Sequence, residues 1–222
     1  LLPGGFCTLL FADLGAEVLK VEDTGMGDYV RWAPPYYDGA EDSAKSALYL
    51  ALNRGKRSIR LNLKEERGRE VLFRLVREYD VLIEGNRPGV MDRLGVGYER
   101  LAQENPGLVY CSITGYGQDG PYRDRSGHDM NYLGLVGLLG LTGEKDGAPV
   151  QAAGQIADLG GGGLMAAFGI LAALRERDQT GKGQMVDGSM ADGAPCWPAV
   201  GAGPYFAQTA GPPAGVPGRG GG

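Results

Sequence analysis

Histidine is almost absent from this 222-residue chain, with His128 as its only copy. That excludes metal sites of the His-rich kind and any chemistry needing two imidazoles. Cysteine is scarce too: Cys7, Cys111 and Cys196 are an odd number without close spacing, which supports neither a disulfide framework nor a zinc knuckle and fits a reducing, cytoplasmic setting. Basic residues are outnumbered, 22 Lys and Arg against 27 Asp and Glu, for a formal net charge of -5. This argues against a nucleic-acid partner, because phosphate binding needs a net basic surface. No stretch approaches eighteen uncharged apolar residues and no charged-then-apolar leader is present, so no membrane partner is expected. An initiator methionine is missing as well. The chain opens Leu1-Leu2-Pro3-Gly4-Gly5 and stops in Gly218-Arg219-Gly220-Gly221-Gly222, so both ends read as cut and the chain as a fragment.

What is present alternates between apolar strand patterns and helical ones, the signature of βα units and a mainly parallel sheet. Phe6 to Leu14 reads as a helix and Glu17 to Val21 as a short strand. Ser58 to Leu63 alternates with Ile59, Leu61 and Leu63 on one face, as a half-buried strand does. Glu65 and Glu66 then suit a first helical turn, and Val71, Leu72, Leu75 and Val76 form its apolar stripe. Val81-Leu82-Ile83 and Leu108 to Ile113 read as interior parallel strands, with a short helix from Arg100 to Glu104 between them. Further on come a Gly-rich loop from Thr114 to Gly120, a helix from about Asn131 to Leu141, a helix from Leu164 to about Arg177 with Met165, Phe168, Leu171 and Ala172 turned inward, and a last strand at Gln184 to Asp187. Residues 201–222 are rich in Gly and Pro and read as a linker. In open parallel sheets ligands bind at the carboxyl ends of strands, here the loops after Leu63, Ile83 and Ile113.

Three features could carry chemistry. Arg54, Lys56, Arg57, Arg60 and Lys64 fall close together and could receive a polyanionic small molecule, or simply be a solvated strand edge. His128 is the only side chain whose ordinary pKa lies near neutrality, although a lone histidine before an apolar helix also serves as a cap or packed residue. Asp158-Leu159 precedes Gly160 to Gly163, where Asp158 could cap a helix, and the same helix start offers N–H donors to a developing oxyanion. Four glycines in a row let a bulky ligand approach the backbone; packing of helix on sheet alone would need only one or two.

The runs Ser126-Gly127-His128-Asp129-Met130-Asn131-Tyr132 and Ala157-Asp158-Leu159-Gly160-Gly161-Gly162 resemble the α-methylacyl-CoA racemases within the family III CoA-transferase (CaiB/BaiF) group. Phe11 to Val18, Asn53 to Ser58, Glu84 to Val90, Arg93-Leu94-Gly95, Gly115 to Pro121 and Thr180 to Gln184 extend the resemblance over roughly residues 4 to 193. It implies a Rossmann-like α/β large domain over 1–200, a linker at 201–222 toward a small domain lying outside this chain, and an interlocked homodimer. It further implies an isomerase of acyl-CoA thioesters, with His128 and Asp158 as two bases inverting the α-carbon through an enolate. The transferases of the group usually carry an aromatic residue at the position of His128 and use the Asp158 equivalent as a nucleophile, which keeps CoA transfer as the alternative. By the same resemblance Leu61, Asn62, Leu63, Lys64, Gly85, Asn86, Arg87, Arg93, Gly127, Asp129, Met130, Asn131 and Tyr132 match CoA-contacting positions. Arg31 takes over a phosphate contact, because Asp23 stands where racemases often have arginine. No cofactor is implied beyond the coenzyme A of the substrate.

Overall fold

The computed structural model describes residues 2–144 and 146–208. Two parallel sheets organise them. β1 (Leu19–Glu22) pairs with β2 (Arg57–Arg60), while β3 (Val81–Glu84), β4 (Val109–Thr114) and β5 (Met185–Ser189) lie side by side in that order. This is the α/β architecture that the alternating patterns imply.

Helices cover the sheets. α1 (Leu2–Asp13), α2 (Ala47–Asn53), α3 (Glu66–Glu78), α4 (Val90–Arg93) and α5 (Tyr98–Glu104) precede β4, and α6 (Asp129–Leu135), α7 (Met165–Thr180), α8 (Met190–Gly193) and α9 (Ala199–Gln208) follow it. All six residues of β4 are buried, as expected of a strand covered on both faces. Cys111 and Ile113 join a core with Cys7, Ile170 and Ala191, while Tyr110 joins a second core with Leu72, Val76 and Leu101. A wholly buried side chain such as Leu101 or Ile170 contributes roughly 1.5–3 kcal/mol, so these two clusters hold the layers together.

Several expectations are corrected. α2 and α4 are short helices that the sequence patterns did not indicate, and β2 stops at Arg60, although Leu61 N–H still bonds the Glu22 carbonyl at 2.9 Å. α6 ends at Leu135 because Gly137 takes a φ of 80°, and a separate turn covers Leu139–Leu141. Residues 201–208, expected to be linker, are part of α9; the rest of that stretch lies outside the described residues. The inward stripe of α7 is the wrong one. Ala166, Ala167, Ile170 and Ala173 are buried, while Phe168 is 69 % and Leu171 53 % exposed. The small face lets α7 sit close to β5: a Cβ on Gly169 would lie 2.9 Å from Val186 Cγ1.

A nine-residue π-helix, Ile156–Leu164, runs directly into α7. Together they make a continuous helical run, Ile156–Thr180, that is long and apolar enough by composition to cross a membrane, contrary to the sequence expectation. Its packing on the sheet through Ile170 and the alanines accounts for that composition.

Candidate active site

The loop after β4 delivers His128 to the N-cap of α6, where its N–H donates to Asn131 Oδ1 at 2.9 Å. Tyr132, one turn on, is buried, and its hydroxyl donates to the Gly127 carbonyl at 2.7 Å. Glycine is required on both sides of this ring. A Cβ on Gly115 would lie 2.5 Å from the Tyr132 hydroxyl and one on Gly127 2.7 Å from its ring. The Tyr116 ring stands edge-on at 5.0 Å, so the loop is moulded round an aromatic post that fixes the backbone of His128.

Between those two residues Asp129 turns inward. It is 3 % exposed; its Oδ1 accepts the backbone N–H of Asp158 at 2.9 Å, and its Oδ2 has no partner among the described residues. Asp158 therefore does not cap a helix. It lies inside the first turn of the π-helix, whose N-cap position is Gln155. Its half-buried carboxyl is pushed up to about 6, first by burial and then by the Asp129 charge, while His128 pulls it back down. Burial, followed by the Asp158 charge, also pushes the Tyr132 phenol up to about 12. Tyr29, on the turn Tyr29–Trp32, is raised first by burial, then by Asp28 and Asp158, so a phenol from the N-terminal third also stands within electrostatic reach. Sequence reasoning missed Tyr29, whose signal was its place two residues before Arg31.

The four glycines are packing positions. A Cβ would lie 2.8 Å from the Trp197 ring at Gly160, 2.7 Å from the Met190 carbonyl at Gly161, 2.7 Å from the Met190 side chain at Gly162 and 2.9 Å from Phe6 at Gly163. Each glycine admits a neighbour from α1, α8 or the turn beyond it, so the expectation that the run clears space for a ligand is not supported by the packing. A wide-turned helix crowded on all sides by other elements cannot carry side chains there.

The expected CoA-contacting residues fall into three groups. Leu63, Gly85 and Asn86 line a cavity of about 360 Å³ between β1 and β3, flanked by α1 and α3. Neither base lines it, but Pro3 and Ile113, which also abut Gly162 of the π-helix, do. Arg87, Arg93 and Lys64 are exposed and have no side-chain partner among the described residues. The Arg93 guanidinium and that of Arg123, which sequence reasoning also missed, approach the Gly89 turn, 3.2 Å and 3.8 Å from where a Cβ would stand. Met130 and Asn131 are exposed beside His128.

Other positions serve the fold. Arg31 is bound to both carboxylate oxygens of Glu22 at 2.8 and 2.7 Å, to the Tyr49 hydroxyl at 2.5 Å and to the Ser43 carbonyl at 3.3 Å, so four of its five N–H donors are committed within the fold. Asp129 and Tyr132 are too buried for their side chains to meet CoA. Leu61 continues the β1–β2 ladder, and Asn62 Oδ1 accepts the Lys64 N–H at 3.1 Å. The basic run from Arg54 to Lys64 is mostly used within the fold. Arg54 pairs with Asp13 at 2.5 Å, Arg57 with Glu17, and the Lys56 ammonium donates to the carbonyls of Gly5 and Leu52, each at 2.7 Å.

His128 and a half-buried Asp158 are thus brought to one place, with Asp129, the residue after His128, accepting the Asp158 N–H. Comparison with known proteins agrees with the motifs. A model of CoA-transferase family III matches residues 1–219. The chain belongs to that family. It is 42 % identical over 193 residues to the human protein named alpha-methylacyl-CoA racemase, covering 87 % of this chain and 46 % of that one. It is also 42 % identical over 212 residues to the acetyl-CoA:oxalate CoA-transferase of Acetobacter aceti, covering 91 % and 53 %. A solved CAIB/BAIF family protein from Brucella suis superposes with a TM-score of 0.87 at 42 % identity, over 95 % of this chain and 55 % of that one. The chain thus spans about half the length of the curated relatives it matches.

Proposed function

We propose that this family III chain carries the two bases of a 2-methylacyl-CoA racemase, His128 and Asp158. Inverting a carbon beside a thioester needs one group to take the α-proton from one face and another to return a proton to the opposite face. The observation that carries the assignment is Asp158 with its carboxyl pushed up to about 6, within the field of His128. A carboxyl raised toward neutrality can both give and take a proton at working pH, and the reading makes the His128 imidazole its counterpart on the other face. A nucleophile would gain from full ionisation, which burial and Asp129 oppose. A carboxyl raised toward neutrality keeps a fraction of its proton at working pH, which suits a group that must also return one and supports proton transfer over CoA transfer through an acyl-enzyme.

Coenzyme A, as part of the substrate, would place its phosphates on Arg87, Arg93 and Arg123 around the Gly89 turn, where forked guanidiniums suit phosphate oxygens. Lys64 adds a flexible charge at the next strand end. The reading places the enzyme in the cytosol as an interlocked pair of subunits.

The test uses one stereoisomer of a 2-methylacyl-CoA in D₂O without an acceptor acid. Deuterium should enter the α-carbon, and His128→Ala and Asp158→Ala should each slow exchange by about 10²–10⁴-fold. The CoA-transferase names among the relatives make the second reading concrete. No exchange, together with CoA transfer to an added carboxylic acid that depends on Asp158 and not on His128, would replace the racemase assignment.

A further inference from the structure

We infer that Asp129 is a positioning residue that couples the two bases, holding the Asp158 backbone N–H through one carboxylate oxygen while its second oxygen, without a partner among the described residues, leaves the acid free to act on the Asp158 carboxyl. The inference rests on the assignment of His128 and Asp158 as the proton-transfer pair. Its geometry is independent of which reaction they perform.

Three observations carry it. First, Asp129 is covalently next to His128, and its Oδ1 accepts the Asp158 N–H at 2.9 Å, so one side chain links the start of α6 to the first turn of the π-helix. Among the described residues of the segment joining α6 to the π-helix, Leu139–Leu141 forms a short turn, and Asp129 links the helices on either side of that segment. Secondly, the group is 3 % exposed with a bare Oδ2. Burying an unpaired charged oxygen is costly, and an asparagine would accept the same N–H without the charge, although its amide N–H groups would take the place of Oδ2. The acid at this position is therefore not explained by its hydrogen bond to Asp158 alone. Thirdly, Asp129 forms no ion pair among the described residues, and its Oδ2 has no hydrogen-bond partner there. The titratable groups that reach Asp158 are His128 and Asp129 at the start of α6, Tyr132 from the next turn of α6, and Tyr29 from the N-terminal turn; Tyr116 stands against Tyr132. Two carboxyls brought together without a lysine or arginine cannot both ionise freely, so the charge on Asp129 opposes ionisation of Asp158.

The alternative is that Asp129 is merely an acid in the first turn of α6, favoured by the helix dipole. An exposed acid would serve that purpose, and this one faces inward.

The experiment compares Asp129→Asn and Asp129→Ala with the unaltered protein, reading turnover against pH, KM, thermal midpoint, and the titration of the Asp158 carboxyl by carbon-13 NMR. Asp129→Asn keeps the acceptor and removes the charge. The Asp158 carboxyl should then titrate below about 6, with burial still holding it above its ordinary 3.8, and the acid limb of the rate profile should move down with it while KM holds. Asp129→Ala should show the same titration shift plus a further fall in kcat of about 10- to 100-fold from lost alignment, partly restored by asparagine. An unchanged Asp158 titration in both variants, with only a lowered thermal midpoint, would overturn the inference. If His128→Ala and Asp158→Ala leave turnover intact, the assigned reaction fails; the NMR titration still decides whether the two carboxyls are coupled.

Discussion

Five hydrogen bonds converge on the Glu22 carboxylate, whereas the carboxylates of Asp129 and Asp158 share a site that no arginine or lysine enters among the described residues. Glu22 accepts from the Asp28 N–H at 2.7 Å, from Arg31 Nε and Nη2 at 2.8 and 2.7 Å, from the Tyr49 hydroxyl at 3.1 Å and from Ser58 at 2.5 Å. Burial alone would push its carboxyl up, but the donors and the Arg31 charge outweigh burial and hold it well below the usual carboxylate range. Asp158 lies at the opposite extreme, pushed up by the same burial and by a like charge. Glu22 ties β1 and β2 to α2, and every oxygen is satisfied. The pair at the π-helix is left incomplete, which is what the proposed proton-transfer role would require and what a carboxylate that only holds strands together would not.

The largest effect is expected where the network is complete. Glu22→Ala strips the partners from Arg31, whose guanidinium is mostly buried and lies 3.8 Å from the Tyr49 ring centroid. Removing one member of a buried pair leaves the other uncompensated, so urea unfolding should show a loss of about 3–5 kcal/mol. That loss should grow weaker in acid. A carboxyl with a depressed folded pKa contributes above its ordinary value of 4.5 and loses the contribution as pH falls through the lower folded value. A smaller loss is expected from Tyr49→Phe, which removes a hydroxyl that donates to Glu22 and accepts from Arg31 and keeps the ring. About 1–2 kcal/mol should go, measured the same way. If both variants unfold like the unaltered protein, the contrast with Asp158 is not one of satisfaction.

Much of this fold is written locally. β3 and β4 follow from short apolar runs bounded by charge, and α3 from a stripe whose Leu72 and Val76 are buried. What periodicity does not encode is which of two stripes faces inward. α7 offered a bulky stripe and a small one, and close approach to β5 selected the small one, leaving Phe168 outside. The glycine run was legible as unusual but not as packed, because its neighbours Trp197, Met190 and Phe6 arrive from distant parts of the chain. His128 and Asp158 could be singled out by residue type and motif. The role of Asp129 could not, since its burial exists only once the π-helix docks on α6. Arg31 misled for the same reason: a basic side chain in a loop looks free until Glu22 is folded against it.

The smallest expected effect has the opposite sign and tests the contrast most directly. A carboxyl whose folded pKa is raised contributes nothing unfavourable below its ordinary 3.8, and costs stability progressively as pH rises through about 6. Asp158→Asn removes the ionisation while keeping the shape, and its backbone N–H stays available to Asp129. At pH 8 this variant should be more stable than the unaltered protein by on the order of 1 kcal/mol, a figure discounted for the partial exposure of the carboxyl. At pH 4 the two proteins should unfold together, because the native carboxyl is then neutral as well. The same variant should have lost the deuterium exchange, so stability would be gained where activity is given up. Equal stability at pH 8, or a loss at both pH values, would mean that the Asp158 carboxylate is as well accommodated as that of Glu22, and the distinction between a binding carboxylate and a working one would have to be drawn elsewhere.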